Sequence, residues 1–267
     1  MHEILAGLGH CSVVLDLGSG GGSFDAEGLS IRVVRADLAF HRRSGLQVRC
    51  TASALPFADG VFDAAILNHS LEHMDRLDEC IAEIARVLAP AGLLYIAVPD
   101  ATTFTDWVYR WIARGGGHVN PFRRPEDVVL KITAATGLKH SGTRLLCTSL
   151  AFLHRRDIPG RPSRKLLLFG NGSEAMLRVL TYGFRRLDKW FGTRTSIYGW
   201  AFWFGDGISP ETDTWTNVCV RCGSGDPASH LVRSGGVTRR RGLPSSYRCL
   251  QCGARNYFTP DPPGTTR

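Results

Sequence analysis

Short apolar runs alternate with amphipathic segments along the first hundred residues. Four runs bounded by glycines or polar residues predict buried strands: Val13 to Leu17, Ile31 to Ala36, Phe62 to Leu67 and Leu93 to Val98. Between the last two, Leu77 to Leu88 has apolar side chains at helical spacing and charged side chains opposite, which predicts an amphipathic helix. Strands separated by helices indicate an α/β fold with a doubly wound parallel sheet.

Helical periodicity continues beyond this sheet. Residues 101–125 contain an aromatic segment followed by three glycines at 115–117, and we interpret them as an insertion with a hinge. A helix is expected from about Pro125, because proline and acidic residues favour a first turn. The segment from Tyr198 to Phe204 predicts a late strand, expected to be the last antiparallel one of the sheet.

A basic amphipathic helix is predicted from Glu174 to Phe191. Its apolar stripe is expected to pack on the core, or alternatively to lie on an anionic membrane. Four cations are expected on the opposite, solvent-facing side: Arg178, Arg185, Arg186 and Lys189.

A glycine-rich turn, Asp16-Leu17-Gly18-Ser19-Gly20-Gly21-Gly22, follows the first predicted strand. Glycines permit a tight turn and a close approach of backbone to ligand. A dinucleotide fingerprint would need a further glycine at residue 23, where serine stands. Asp37 ends the second strand, nineteen residues beyond Gly18, where a carboxylate can accept hydrogen bonds from ribose hydroxyls.

These motifs together resemble the type 11 family of class I S-adenosylmethionine-dependent methyltransferases. The acid-x-Gly-x-Gly-x-Gly loop is similar to that family's motif I. Residues 55–73 resemble its LPF-x-D-x-x-FD segment, fourth strand and leucine-glutamate-histidine, and residues 86–96 resemble its R-x-L-x-P-G-G-x-L turn. The resemblance covers residues 12–100 well and becomes diffuse to about residue 207. It implies a Rossmann-like methyltransferase fold.

The resemblance also implies where the cofactor binds. The glycines would cradle the amino acid part of S-adenosylmethionine, and Asp37 would hold the ribose. Thr51 stands where the family often has an adenine-binding acid, so adenine is expected to rest on the backbone around Ala52. A short helix is expected after the loop, over residues 23–30. The cofactor-binding residues are predicted to be Asp16, Gly18, Gly20, Gly22, Asp37, Ala52 and Asn68.

Three histidines are candidates for acid or base chemistry: His69, His73 and His118. The sulfonium already activates the methyl group, so a base is needed only if the acceptor is a hydroxyl or a protonated amine. A structural role remains the alternative, and His73 is expected to begin or cap the next helix. Phe104, Trp107 and His118 are predicted to cover the acceptor pocket, unless the aromatic helix packs permanently on the core.

Four of the eight cysteines form two close pairs near the C-terminus. Each CxxC is followed by glycine, which permits a tight knuckle, and 26 residues separate the pairs. Two knuckles supply four thiolates, which favours a closed, structural zinc site. The predicted ligands are Cys219, Cys222, Cys249 and Cys252; a redox role is the lesser alternative.

Charge is uneven within the net +8. Ten cations and three acids occupy residues 155–194, and seven arginines face one acid over residues 219–255. Nucleic acid or an anionic membrane surface is a possible partner, and a solvated surface is the alternative. No apolar run suits a membrane span and no signal-peptide pattern opens the chain, which predicts a cytoplasmic protein.

The sequence therefore predicts a methyltransferase domain over residues 1–208 and a zinc ribbon over 215–260. The first contains the insertion at 101–125 and a basic helical region at 155–194. The expected function is methyl transfer to a small or lipid-like metabolite, because the Asn/Asp-Pro-Pro-aromatic motif of base methylation is missing after strand four. The alternative is a non-catalytic scaffold that binds nucleic acid or protein through its ribbon and basic rear.

Overall fold

The computed structural model describes residues 2–20, 22–39, 45–112, 118–155, 164–210 and 215–260. Gly21 of the glycine-rich loop and the predicted hinge at 115–117 lie outside these ranges. The chain divides into two compact units: residues 1–101, 116–144 and 200–212 form the first, and residues 102–115, 145–199 and 213–267 form the second. Such units need not follow continuous sequence, and the domain boundaries predicted above stay predictions.

Most of a seven-stranded sheet, in the order β3-β2-β1-β4-β5-β7-β6, belongs to the first unit. Its strands are β1 (Val13–Leu17), β2 (Arg32–Asp37), β3 (Leu46–Arg49), β4 (Phe62–Asn68), β5 (Leu88–Pro99), β6 (His140–Cys147) and β7 (Ile197–Phe204). The pairs from β3 through β5 are parallel. The helices here are α1 (His2–Gly7), α2 (Leu77–Val87) and α4 (Pro125–Thr136). The predicted α/β fold with a doubly wound parallel sheet is confirmed.

Two strands lack a clear signal in the sequence. β3 is short and half of its residues are polar, and β6 has few buried positions, so neither shows the apolar run of a central strand. β7 is the last strand of this sheet along the chain, as predicted, but it lies between β5 and β6.

The core of the first unit explains two of the motifs. Buried residues of β1, β4 and β5 pack with Ile81 and Ile84 of α2 and with Val128 and Ile132 of α4. Arg86, near the end of α2, donates hydrogen bonds to the carbonyls of Leu55 (3.0 Å) and Phe57 (2.8 Å). Arg86, which belongs to the second motif, thus holds the Leu-Pro-Phe segment of the first motif in place. The two motifs are therefore linked by hydrogen bonds.

The helix expected after the glycine-rich loop does not form. Residues 22–31 make turns instead, so the sequence prediction over 23–30 is wrong. Glu27 N donates to Asp25 Oδ1 at 3.0 Å, and Gly28 has φ +79°, a left-handed conformation that interrupts a helix. β1 and β2 are therefore joined by an irregular crossover.

The described part of the second unit combines three α-helices with small antiparallel sheets. Its helices are α3 (Phe104–Ile112), α5 (Glu174–Phe191) and α6 (Ala228–Arg233). One hairpin pairs β8 (Thr216–Val218) with β9 (Gly225–Pro227). A second sheet contains β10 (Val237–Thr238), β11 (Ser246–Arg248) and β12 (Arg255–Tyr257). No helix among the described residues is long and apolar enough to span a bilayer.

Arg185 of α5 is buried, which corrects its predicted place on the solvent face. Its side chain is 2% exposed and donates to Thr259 Oγ1 at 3.2 Å and to the Thr216 carbonyl. The guanidinium also lies 4.8 Å from the centre of the Trp215 ring. Conversely, Phe191 at the end of the predicted buried stripe is 71% exposed. The buried face of α5 is therefore rotated toward Arg185.

Replacing Arg185 should destabilise this unit. In Arg185→Met the Thr216 carbonyl and the Thr259 hydroxyl lose a charged donor, so we expect the free energy of unfolding to fall by about 3 kcal/mol. Lys189→Met, on the same helix, should cost less than about 1 kcal/mol. Urea unfolding measures both, and equal effects would contradict the structural role of Arg185.

Candidate functional site

A cavity of about 600 Å³ opens at the carboxyl ends of β1, β2 and β4. In an open parallel sheet this is where ligands bind, and the volume lies within the range of small-molecule sites. It is lined by three groups of residues: the strand ends with Gly18 and Asp37, residues 50–53, and the segment after β4 with His69, Ser70 and His73.

Gly18 lies where three strand ends meet. Its backbone has φ +65°, and its N–H donates to the Ala36 carbonyl at 2.8 Å. A Cβ at this position would lie 2.5 Å from Ser70 Cβ, while Ser70 Oγ donates to the Leu17 carbonyl at 2.9 Å. Packing alone thus demands glycine here, independently of any ligand.

The substitution Gly18→Ala should therefore lower the free energy of unfolding by more than the strain of a left-handed alanine alone would. Gly137, the C-cap of α4, has a similar φ of +70°, but in the described part of the chain no atom beyond its neighbours lies within 4 Å of its added Cβ. Gly137→Ala should cost about 1 kcal/mol and Gly18→Ala about 3 kcal/mol, since only the latter adds a clash. The difference in urea midpoint measures the clash, and equal midpoints would contradict it.

Gly20 has the opposite surroundings. It also has a left-handed backbone, with φ +49°, but no atom of the described residues outside its chain neighbours lies within 4 Å of the position that a Cβ would occupy. The protein itself therefore leaves this space open. Gly22 has φ +101°, and its N–H donates to the Ser19 carbonyl at 2.6 Å, which closes the turn.

Two carboxylates anchor the loop. Asp16 is fully buried; its Oδ2 accepts from Ser23 N at 3.0 Å and lies 3.8 Å from Arg35 Nε. Burial raises the pKa of Asp16, against the lowering effect of those two contacts. Asp37 Oδ2 accepts from Gly20 N at 2.8 Å, and its Oδ1 accepts from Ala39 N. Asp37 thus joins the loop to the end of β2.

The predicted site residues divide in two. Five of them line the cavity: Gly18, Asp37, Ala52, His69 and His73. The others are not among its lining residues in the described part of the chain: Asp16, Gly20, Gly22, Asn68 and His118. Asn68 ends β4 in register with Ala97. The role of every one of these residues stays a prediction.

Glu72 was not predicted, and it lies among all three candidate histidines. Its Oε1 is 3.6 Å from His69 Nδ1 and 4.0 Å from His73 Nε2. The His73 and His118 rings have centres 5.1 Å apart. His73 ends a 3₁₀ turn at Leu71–His73, and α2 begins at Leu77, so His73 neither begins nor caps that helix. The sequence could not reveal the carboxylate, because its burial depends on the tertiary fold.

The aromatic helix α3 has one buried face. Val108 is fully buried, whereas Trp107 is 52% exposed and stacks on Trp111 with ring centres 5.7 Å apart. The Phe104 ring also stacks on Trp107, with ring centres 5.9 Å apart. The movable cover proposed for Phe104, Trp107 and His118 stays a prediction.

The four paired cysteines converge. Cys219 Sγ lies 3.6 Å from Cys252 Sγ, and Cys222 Sγ lies 3.6 Å from Cys249 Sγ. All four sulfurs lie within 4.8 Å of one another. Sulfurs around a tetrahedral zinc, at about 2.3 Å from the metal, are roughly 3.8 Å apart. The cluster therefore has the dimensions of a tetrathiolate metal site.

Both knuckles have the same backbone geometry. Gly223 N donates to the Cys219 carbonyl at 3.0 Å, and Gly253 N donates to the Cys249 carbonyl at 2.9 Å. Both glycines have φ near +70°, as the turn requires. Asn256 Nδ2 donates to Cys219 Sγ at 3.4 Å, an outer contact of the kind that orients metal ligands.

The first knuckle also packs on the helices of its unit. Val220 shares a buried cluster with Val108 of α3 and Leu177 of α5. Arg221 Nη2 donates to Glu174 Oε2 at 3.0 Å, and this guanidinium lowers the pKa of Glu174. The ribbon thus gains apolar contacts that a module of its size could not supply alone.

A family model of known proteins matches the N-terminal part of the chain. Residues 15–96 match the family model described as "Methyltransferase domain", type 11. The match spans β1 through most of β5 and so includes the glycine-rich loop, Asp37 and the strand end that carries His69. Residues 15–96 are therefore similar to a methyltransferase domain, in agreement with the parallel sheet and with the position of the cavity at its strand ends.

Two relatives illustrate the similarity. The malonyl-[acyl-carrier protein] O-methyltransferase of Methylococcus capsulatus is 32% identical over 152 residues, which cover 49% of this chain and 55% of that protein. A ubiquinone biosynthesis O-methyltransferase of Agrobacterium fabrum is 30% identical over 144 residues, covering 46% and 58%. The chain thus spans little more than half the length of these relatives.

One solved structure with a similar fold is a SAM-dependent methyltransferase from Archaeoglobus fulgidus. It is 21% identical, with a TM-score of 0.49, over 73% of this chain and 86% of that one.

Proposed function

We propose that this protein transfers a methyl group from S-adenosylmethionine to a small or lipid-like acceptor. The observation that carries the proposal is the cavity at the ends of β1, β2 and β4, which is lined by Asp37, His69 and His73. A methyltransferase must hold its cofactor and its acceptor together in such a crevice.

The residues present suit the cofactor. Asp16 Oδ1 and Ser19 Oγ are buried polar atoms with no hydrogen-bond partner among the described residues, and Gly20 borders open space. The glycine-rich loop would hold the amino acid part, Asp37 would accept from the ribose, and the backbone near Ala52 would face the adenine. When bound, S-adenosylmethionine supplies an electrophilic methyl group on its sulfonium.

The acceptor's proton would pass to a histidine if the acceptor is a hydroxyl. His69 is the best placed of the three candidates, because it lines the cavity and its Nδ1 faces the buried Glu72 carboxylate at 3.6 Å. That carboxylate can orient the imidazole and stabilise its charged form. Of the other two, His73 also lines the cavity. The relatives' names, which cite acyl-carrier-bound and quinone-related substrates, support a metabolite acceptor.

We further propose that the four cysteines bind one structural zinc ion. Four thiolates close the coordination sphere, so the metal would hold the two knuckles together and take no part in the reaction. A redox pair is less consistent with the structure, since β9 follows the first CxxC rather than a thioredoxin-like helix.

Methyl transfer can be tested without knowing the acceptor. The protein is incubated with methyl-labelled S-adenosylmethionine and an extract of the organism that makes it, and the extract is then separated into metabolite, lipid, nucleic acid and protein fractions. We expect label in the metabolite or lipid fraction, at least about tenfold above a heat-inactivated control.

Label confined to nucleic acid or protein would contradict the proposed acceptor class. No transfer to any fraction, together with no cofactor binding, would favour the alternative of a non-catalytic scaffold that binds through its ribbon and basic surface.

A further inference from the structure

We propose that Glu72, His73 and His118 bind a divalent transition-metal ion beside the cavity, and that this ion activates an oxygen atom of the methyl acceptor. The role of this ion in methyl transfer rests on the proposed function, whereas the binding of the ion can be tested independently of it. Two imidazoles and a carboxylate are the ligand set that suits Zn²⁺, Fe²⁺, Mn²⁺ or Co²⁺.

The first observation is the spacing of the three groups. One potential ligand atom from each residue lies within 4.8 Å of the other two. Ligands of one tetrahedral metal, at about 2.1 Å from it, are about 3.4 Å apart, so the ligand atoms need to approach one another by roughly 1.4 Å at most. The His73 side chain is 40% exposed, which leaves it room to rotate.

The second observation is the state of the Glu72 carboxylate. Its side chain is 2% exposed, and Oε2 has no hydrogen-bond partner among the described residues. Its Oε1 lies 3.6 Å from His69 Nδ1 and 4.0 Å from His73 Nε2, so imidazole rings face this carboxylate. A buried carboxylate without a full set of partners is costly, and a bound cation would remove that cost.

The third observation is that the fold holds the two ligand segments together. Asn120 N donates to the Glu72 carbonyl at 3.0 Å. Asn120 Nδ2 donates to the Leu71 carbonyl at 3.1 Å and to the Met74 carbonyl at 2.7 Å. His118, two residues before Asn120, is thereby fixed against the turn that carries Glu72 and His73. Such pre-positioning is what a metal site requires.

The site differs in kind from the cysteine cluster. Three protein ligands leave coordination positions open, as in catalytic rather than structural metal sites. His73 lines the cavity, so an open position is accessible to a bound acceptor. A metal-bound hydroxyl loses its proton far more easily than a free one, and His69, which lines the same cavity as His73, would accept that proton. The proposed metal site therefore favours methyl acceptors that carry an alcoholic or a phenolic hydroxyl group.

Cobalt titration tests the site without any activity measurement. Full-length protein is first stripped with a chelator that spares the thiolate site and is then titrated with Co²⁺. We expect one equivalent to bind with weak d–d absorption and without the intense sulfur-to-cobalt charge-transfer bands of thiolate ligands. Glu72→Gln, His73→Ala and His118→Ala should each weaken binding more than about 100-fold.

Exposed His10 provides the matched control, since His10→Ala should bind cobalt like the wild type. Because Glu72 is buried and its variant could unfold, the exposed His73→Ala carries the decision. Cobalt binding that is unchanged in His73→Ala, or that occurs only with thiolate charge-transfer bands, overturns the proposal. Titration of the same samples with S-adenosylhomocysteine keeps the two ideas separate: cofactor binding without cobalt binding rejects the metal site alone.

Discussion

Cys222→Ser is expected to remove the bound zinc almost completely. Wild-type protein dialysed against a chelator should retain about one zinc per chain, and the variant close to none, because a closed tetrathiolate site depends on all four sulfurs. Since Val220 and Arg221 of the first knuckle pack on α3 and α5, the loss should also loosen those contacts. Elemental analysis gives the metal content, and hydrogen exchange over residues 215–260 gives the loosening.

Cys11→Ser is the matched control, since Cys11 is exposed and lies outside the cluster. It should keep one zinc and wild-type exchange. The cysteines belong to the second unit and the glycine-rich loop to the first, so we also expect Cys222→Ser to bind S-adenosylhomocysteine as well as the wild type does. A zinc-free wild type whose four thiols all react freely would show that the ribbon assignment is wrong.

Gly20→Asn is expected to lower the affinity for S-adenosylhomocysteine by at least about 100-fold. The space beside Gly20 is open among the described residues, so the new side chain would occupy the space in which the ligand is proposed to bind. Asparagine tolerates a positive φ better than other residues with a Cβ, so the fold should be kept. The backbone N–H that Asp37 accepts from is also unchanged by the substitution.

Gly137→Asn serves as the control, because Gly137 has a positive φ, no neighbour within 4 Å and a place at the end of α4. It should bind the ligand normally. Equal affinities of Gly20→Asn and the wild type, with both proteins folded, would place the cofactor away from this loop.

Much of the fold could be predicted because its signals are local. β1 and the helix from Glu174 to Phe191 begin and end at the predicted residues, since apolar periodicity and glycine endings define them. The cavity follows from the same logic: the carboxyl ends of parallel strands meet at one edge, so Gly18, Asp37 and His69 could be grouped from sequence order alone.

The predictions that are wrong concern residues whose environment is formed by segments distant in the sequence. Periodicity placed Arg185 opposite the apolar stripe, but the carbonyl of Thr216 and the hydroxyl of Thr259 make its burial favourable. The sequence around Glu72 likewise has no local signal for the burial of its carboxylate. Its neighbour His73 and the distant His118 surround it only because Asn120 ties residues 118–120 to the turn after β4.

The most direct test of the central claim is calorimetric titration of the wild-type protein with S-adenosylhomocysteine. The account predicts one binding site per chain with a dissociation constant in the micromolar range, set by the loop, Asp37 and the segment around Ala52. Failure of the folded protein to bind at ligand concentrations up to about 1 mM, which corresponds to a binding free energy weaker than about −4 kcal/mol, would contradict it.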